Sequence, residues 1–158
     1  QFVLGETIGE AMTRAEELRS RYPAFRFSYD MLGEGARTGE AARSYLAHYL
    51  QAVDALAVEG AAKHEPEQRD GISVKLSALF PRYEEAQRAR VMNELVPAAW
   101  TLCERAARVG INLTIDAEES ERLELSLDVF EALARPRLAL PPGFLERAAR
   151  GCPTGLGG

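Results

Sequence analysis

The sequence predicts an α/β fold, in which short parallel strands alternate with amphipathic helices. Of its 158 residues, 46% are hydrophobic and 27% are charged, a composition typical of one globular domain. Three short apolar segments each bring one ionisable residue, Asp30, Lys75 or Asp116, to a predicted strand end. A helical pattern fills each interval of roughly 40 residues between them, which indicates βαβ units and a parallel sheet.

The first predicted elements are a helix and a strand. The helix covers about residues 6–21, with Thr7 as a candidate N-cap and Pro23 beyond its end. Helical periodicity places five apolar residues on one stripe of it: Ile8, Ala11, Met12, Ala15 and Leu18. Residues 25–32 alternate between aromatic and polar side chains, and this alternation predicts the first strand.

A second helix is predicted over residues 38–58, with Gly60 as its stop. Its apolar stripe consists of Ala41, Tyr45, Leu46, Tyr49, Val53 and Leu56. Residues 61–70 are polar and are predicted to form a surface loop. The second strand follows at residues 72–76, and residues 77–83 form a predicted turn at its carboxyl end.

The third predicted helix covers residues 84–109, and Pro97 predicts a kink or a break in it because proline lacks the N–H that a helix interior requires. Gly110 is the predicted cap, and residues 111–115 are the third strand. A fourth helix over residues 119–134 has a predicted buried stripe of Leu123, Leu127, Phe130 and Leu133.

Asp30, Lys75 and Asp116 are the candidate site residues, because the chemistry of parallel sheets lies beyond the carboxyl ends of the strands. Only two lysines occur, Lys63 and Lys75, and Lys75 lies among apolar and small residues. An ammonium group in such surroundings needs an anionic partner, and a substrate carboxylate would serve.

Each candidate also has a structural explanation. Lys75 could extend from the strand end into solvent. Asp116 could belong, with Glu118 and Glu119, to an acidic cluster that stabilises a helix N-terminus. Asp30 could form a turn before Met-Leu-Gly. The residues by themselves leave both interpretations open.

Other classes of site receive no support from the sequence. A net charge of −5 argues against a nucleic-acid surface, and no apolar segment approaches the roughly 20 residues that span a bilayer. Cys103 and Cys152 lack metal-ligand spacing and predict no disulfide, and His48 and His64 lack a surrounding ligand cluster, so we expect no metal. No Rossmann, P-loop or GxSxG motif occurs.

Four ordered segments carry a family resemblance: residues 1–8 (QFVLGETI), 27–34 (FSYDMLGE), 71–79 (GISVKLSAL) with 81–83 (PRY), and 115–119 (IDAEE) with 122–127 (RLELSL). Together they resemble the proline dehydrogenase domain of the bifunctional proline utilization A proteins. The resemblance covers about residues 1–134.

The resemblance implies an FAD-dependent (βα)₈ TIM-like barrel that oxidises L-proline to 1-pyrroline-5-carboxylate, with hydride passing to the flavin and electrons to a membrane quinone. It implies that Lys75 pairs with the proline carboxylate together with two arginines. Asp116 would organise the arginine and flavin surroundings, and Asp30 would lie near the substrate. The resemblance also implies a cytoplasmic location, and for the full-length protein it implies peripheral contact with the inner membrane.

The chain also departs from the family pattern. Phe80 stands where the family usually has His, which puts a polar role of that position in doubt, and Gly35 replaces a usual Ala. Residues 135–158 are predicted to be a non-family tail, irregular or a short helix, from a frameshifted or mispredicted terminus. We therefore expect a fragment with a preceding helix and about three βα units, most FAD contacts lying outside it. The alternative is a noncatalytic remnant or interaction module.

Overall fold

The computed structural model describes residues 3–32, 35–60, 68–118 and 120–135. Its elements in chain order are α1 (Ile8–Arg21), β1 (Ser28–Asp30), α2 (Gly39–Gly60), β2 (Gly71–Val74), α3 (Leu76–Leu79), a 3₁₀ turn (Glu85–Gln87), α4 (Arg88–Arg90), a π-helical segment (Val91–Leu95), α5 (Val96–Val109), β3 (Asn112–Ile115), a second 3₁₀ turn (Ser120–Arg122) and α6 (Leu123–Ala134). The predicted α/β class is confirmed. The domain boundary at residue 134 and the irregular tail stay predictions, since residues 136–158 lie outside the described ranges.

The three strands form one parallel sheet in the order β1-β2-β3. All four residues of β2 are buried, because this strand has a neighbour on each side and helices packed against it. The register aligns Tyr29 with Ile72 and Ile72 with Leu113. The carboxyl ends of the three strands therefore lie side by side at one edge of the sheet.

The first strand is shorter than the prediction of residues 25–32. Only Ser28–Asp30 pair with β2, whose ladder begins at Gly71. The Phe27 carbonyl oxygen still accepts a hydrogen bond from the Gly71 N–H at 2.8 Å, whereas the Phe25 side chain is 47% exposed. The aromatic alternation therefore continues past the N-terminal end of the sheet, where β2 offers no pairing partner.

Both long N-terminal helices match their predictions. Thr7 caps α1, since its side-chain oxygen accepts the Glu10 N–H at 3.2 Å. Thr38 does the same for α2, accepting the Ala41 N–H at 3.1 Å. The predicted stripe of α2 faces the core, where its most buried members are Tyr49, Val53 and Leu56.

The predicted interruption of the third helix is confirmed. Pro97 lies in the first turn of α5, and the preceding turn, Val91–Leu95, is π-helical. Proline cannot donate a helical hydrogen bond, so the chain changes its hydrogen-bonding register just before it. Gly110 ends α5 with a left-handed φ of 69°, as predicted, and its N–H bonds to the Ala107 carbonyl at 3.2 Å.

The predicted buried stripe of α6 is wrong except for Leu133. Leu123, Leu127 and Phe130 are 55–58% exposed, whereas the core side of the helix is formed by Leu125, Val129 and Leu133. This helix is apolar on more than one face, so periodicity fits two orientations equally well. Packing against α5 selects the orientation that buries Leu125.

A buried polar cluster lies at the opposite end of the sheet, where the strands begin. Asp70, predicted to end a surface loop, is only 6% exposed. Its carboxylate accepts hydrogen bonds from Arg19, from the Phe27 N–H at 3.1 Å and from the Tyr29 hydroxyl at 3.5 Å. Asp70 therefore joins α1 and β1 to the start of β2.

Candidate functional site

Asp30, Lys75 and Asp116 meet at the carboxyl edge of the sheet. The Lys75 Nζ lies 2.6 Å from Asp30 Oδ1 and 3.1 Å from Asp116 Oδ2. Asp30 ends β1, Lys75 follows β2, and Asp116 follows β3, where its N–H still bonds to the Val74 carbonyl at 3.0 Å. The parallel register thus brings together three residues that are far apart in sequence.

Ser73 fixes the Asp116 side of this triad. Its hydroxyl donates to Asp116 Oδ1, while Asp116 Oδ2 accepts from Lys75. Ser73 and Lys75 are two residues apart, so their side chains lie on one face of the extended chain. Our sequence reasoning missed Ser73, although its spacing from Lys75 carried the signal.

Tyr49, on α2, accepts a hydrogen bond from the Lys75 backbone. The Lys75 N–H donates to the Tyr49 hydroxyl oxygen at 3.3 Å, at the point where β2 has ended. Tyr49 is 1% exposed, and burial raises the pKa of its hydroxyl, which therefore stays protonated. The sequence assigned Tyr49 to the apolar stripe of α2, and nothing in that pattern revealed the polar contact.

The triad holds its lysine charged. Burial acts to lower the pKa of Lys75, but the hydrogen bonds and charges of Asp30 and Asp116 outweigh burial and raise that pKa above its ordinary value. Two carboxylates face one ammonium group, so the triad is net negative. The Asp30 side chain is 40% exposed and that of Asp116 is 27% exposed, so Asp30 is the partner that an incoming anion would displace more easily.

We expect the Lys75 amine to titrate above the ordinary lysine pKa of about 10.4. A Lys63→Arg variant leaves Lys75 as the single lysine, so ¹⁵N-lysine NMR reports on it alone. Because the pKa is higher in the folded chain than in the unfolded one, the ion pairs stabilise the fold fully below the ordinary pKa. This stabilisation is lost as the pH rises through the raised value. A midpoint at or below that of free lysine would contradict the geometry.

A Tyr49→Phe substitution should lower the free energy of unfolding by about 1 kcal/mol, because it removes the acceptor of the Lys75 N–H without opening a cavity. Urea denaturation of the 158-residue chain measures this change. Tyr22→Phe is the matched control: Tyr22 is 53% exposed and should change stability by less than about 0.5 kcal/mol. Equal effects of the two substitutions would contradict the role of Tyr49.

The described residues offer no group of three or more His, Cys, Asp and Glu side chains that could hold a metal. His48 lies exposed on α2, and His64 falls outside the described ranges. Cys103 is a buried thiol, and burial raises its pKa to about 11; Cys152 is also outside the described ranges, so the absence of a disulfide stays a prediction. Within these same ranges, no helix is long and apolar enough to cross a bilayer.

Comparison with known proteins gives the family. A family model described as "Proline dehydrogenase" matches residues 11–144. The chain belongs to the proline dehydrogenase family. It is 49% identical over 142 residues to the bifunctional protein PutA of Escherichia coli K12, and 48% identical over 134 residues to that of Rhizobium meliloti. These matches cover 88% and 84% of this chain but 10% of each relative.

Solved structures agree with the sequence matches. A variant of Bradyrhizobium japonicum proline utilization A superposes with a TM-score of 0.70 at 51% identity, over 85% of this chain and 13% of that one. The α/β arrangement with three parallel strands therefore matches the corresponding part of a proline utilization A protein. The chain spans about a tenth of the length of its curated relatives.

The departure at Phe80 has a structural counterpart. Phe80 is 3% exposed and belongs to the hydrophobic core. The Arg90 guanidinium lies 5.2 Å from the centre of its ring, a cation–π contact. In this chain the position is therefore occupied by a packing residue.

Proposed function

We propose that this chain forms part of the substrate site of an FAD-dependent proline dehydrogenase, within a (βα)₈ barrel that oxidises L-proline to 1-pyrroline-5-carboxylate by hydride transfer to the flavin. Family membership and the Asp30–Lys75–Asp116 triad at the carboxyl edge of the sheet support this proposal. A membrane quinone is the proposed final electron acceptor. The proposed location is the cytoplasm, with peripheral contact to the inner membrane.

Lys75 is the proposed ligand of the substrate carboxylate. L-Proline is a zwitterion near neutral pH, so its carboxylate suits the ammonium group of Lys75 and its ring amine suits a carboxylate. The substrate would replace the more exposed Asp30 at Lys75 Nζ, while Asp116 keeps its orientation through the hydrogen bond from Ser73. Asp30 is then positioned to receive the substrate amine.

The triad does not fit the pyrophosphate of FAD, because its one ammonium group can pair with a single anionic charge and its two carboxylates repel the second. We therefore assign the pyrophosphate contacts to residues outside the triad. The proposed role of these three side chains is to bind and orient proline, and Asp116 would also organise the arginine and flavin surroundings. This division agrees with a chain that covers a tenth of its curated relatives.

Proline binding tests the proposal directly. We expect L-proline to perturb the Lys75 ¹⁵N signal of the 158-residue chain, and a Lys75→Met substitution to weaken binding at least tenfold, about 1.4 kcal/mol. Cyclopentanecarboxylate should compete because it keeps the carboxylate, and pyrrolidine should not. Lys63→Met serves as the control for loss of a lysine charge elsewhere. If no ligand binds, or if Lys75→Met binds equally well, the noncatalytic remnant is the better explanation.

The isolated chain should neither retain flavin nor oxidise proline. Within the described residues, β1 and β3 each pair on one side only, and three apolar side chains of α6 are exposed. A flavin absorbance spectrum and a proline-dependent dye-reduction assay on purified chain measure this. Bound flavin with turnover would contradict the expectation.

A further inference from the structure

A second contact joins the start of α3, just after Lys75, to the chain just after Asp116. Ser77 lies two residues after Lys75, and Glu118 lies two residues after Asp116. The Ser77 N–H donates to Glu118 Oε2 at 3.1 Å, and the Ser77 hydroxyl donates to Glu118 Oε1. Ser77 is 5% exposed, so one carboxylate accepts from both hydrogen-bond donors of a buried residue.

Lys75 therefore lies between two contacts to β3 and the chain after it, one formed by the residue before Lys75 and one by Ser77. Before Lys75, the Val74 carbonyl accepts the Asp116 N–H at 3.0 Å, the last backbone bond of that ladder. After Lys75, the Ser77–Glu118 contact joins the first turn of α3 to the chain beyond β3. Glu118 was predicted to belong to an acidic cluster at the N-terminus of the helix that follows it; its carboxylate instead accepts hydrogen bonds in the first turn of α3.

We infer that Glu118 is a positioning residue, which acts through Ser77 to hold the Lys75 backbone where its ammonium group reaches both Asp30 and Asp116. The inference rests on the proposed role of Lys75 in binding the substrate carboxylate. The Glu118 carboxylate accepts hydrogen bonds from Ser77, whereas the carboxylates that hydrogen-bond to the Lys75 ammonium group are those of Asp30 and Asp116. Its influence on proline binding is therefore geometric.

Two small substitutions separate positioning from simple stabilisation. In the Lys63→Arg background, Ser77→Ala removes one hydrogen bond without changing any charge, and Glu118→Gln keeps the side-chain shape. We expect each to bring the Lys75 titration midpoint down by roughly half a pH unit and to weaken proline binding several-fold. Glu118→Asp, which keeps the charge but shortens the reach, should act in the same direction.

Tyr83→Phe is the matched control. The Tyr83 hydroxyl bonds to the Ser126 hydroxyl at 2.8 Å, so this change also removes a hydrogen bond, here between the chain after α3 and helix α6, but leaves the Ser77–Glu118 contact intact. It should lower the melting temperature without moving the Lys75 midpoint. If Ser77→Ala and Glu118→Asp, which change no charge, likewise lower only the melting temperature, the inference is wrong, and a shift in Glu118→Gln alone reflects the lost charge.

The two readouts keep this inference distinct from the proposed function. The Lys75 titration midpoint is measured without ligand. If Ser77→Ala lowers this midpoint in a chain that binds no proline, the positioning role of Glu118 is supported and the substrate role of Lys75 is contradicted. If Ser77→Ala leaves the midpoint unchanged in a chain that binds proline through Lys75, the positioning role of Glu118 is contradicted and the substrate role of Lys75 is supported. Titration and binding are therefore measured on the same samples.

Discussion

An Asp70→Ala substitution is expected to lower the free energy of unfolding by about 3–5 kcal/mol, the range for removing one partner of a buried ion pair. The Asp70 side chain is 5% exposed and that of Arg19 is 10% exposed, so the guanidinium would lose its buried counter-ion. The Phe27 N–H would lose its acceptor as well. Equilibrium urea denaturation measures the change, and outright loss of the cooperative transition also satisfies the expectation.

Two further variants identify the cause. Glu16 pairs with the same Arg19 but its side chain is 65% exposed, so Glu16→Ala should cost less than about 1 kcal/mol. Asp70→Asn keeps an acceptor for the Phe27 N–H while removing the charge, and should fall between the other two. If Asp70→Ala costs no more than Glu16→Ala, the cluster is not the tie between α1, β1 and β2 that the contacts indicate.

The elements with one clear apolar stripe could be predicted from the sequence. The caps at Thr7 and Gly110 and the break before Pro97 follow from local chemistry that acts within a few residues. The orientation of α6 could not be predicted, because a helix that is apolar on two faces is oriented by what packs against it. The length of β1 depended in the same way on where β2 begins.

The candidate site shows the same division. Its three ionisable residues were recognisable because each breaks an apolar strand end, and the parallel register brings them together. Asp70 and Tyr49 could not be recognised. Asp70, at the opposite end of the sheet from the site, continues a polar loop, and Tyr49 continues the apolar stripe of α2. Both therefore look ordinary until the helices and strands have packed together. Whether the triad binds proline stays a prediction.

Gly71→Ala should destabilise the fold by about 1–3 kcal/mol, the usual cost of forcing an extra group into a packed site. A Cβ at Gly71 would lie 2.8 Å from the Asn112 carbonyl oxygen and 3.0 Å from Asn112 Cβ. That oxygen belongs to the backbone of β3, so no side-chain rotation relieves the contact. The strand itself must move, and Asp116 follows directly after it.

The same substitution at Gly9 should have the opposite sign. No atom would lie within 4 Å of a Cβ at Gly9, which is in α1, so Gly9→Ala should stabilise by about 0.5–1 kcal/mol. Gly71→Ala should also lower the Lys75 titration midpoint, because displacement of β3 separates Asp116 from the ammonium group. If Gly71→Ala destabilises the fold but leaves the Lys75 titration midpoint unchanged, β3 is displaced only near Asn112. The carboxyl edge would then be set by the contacts of Ser73, Tyr49 and Glu118 independently of strand spacing at its other end.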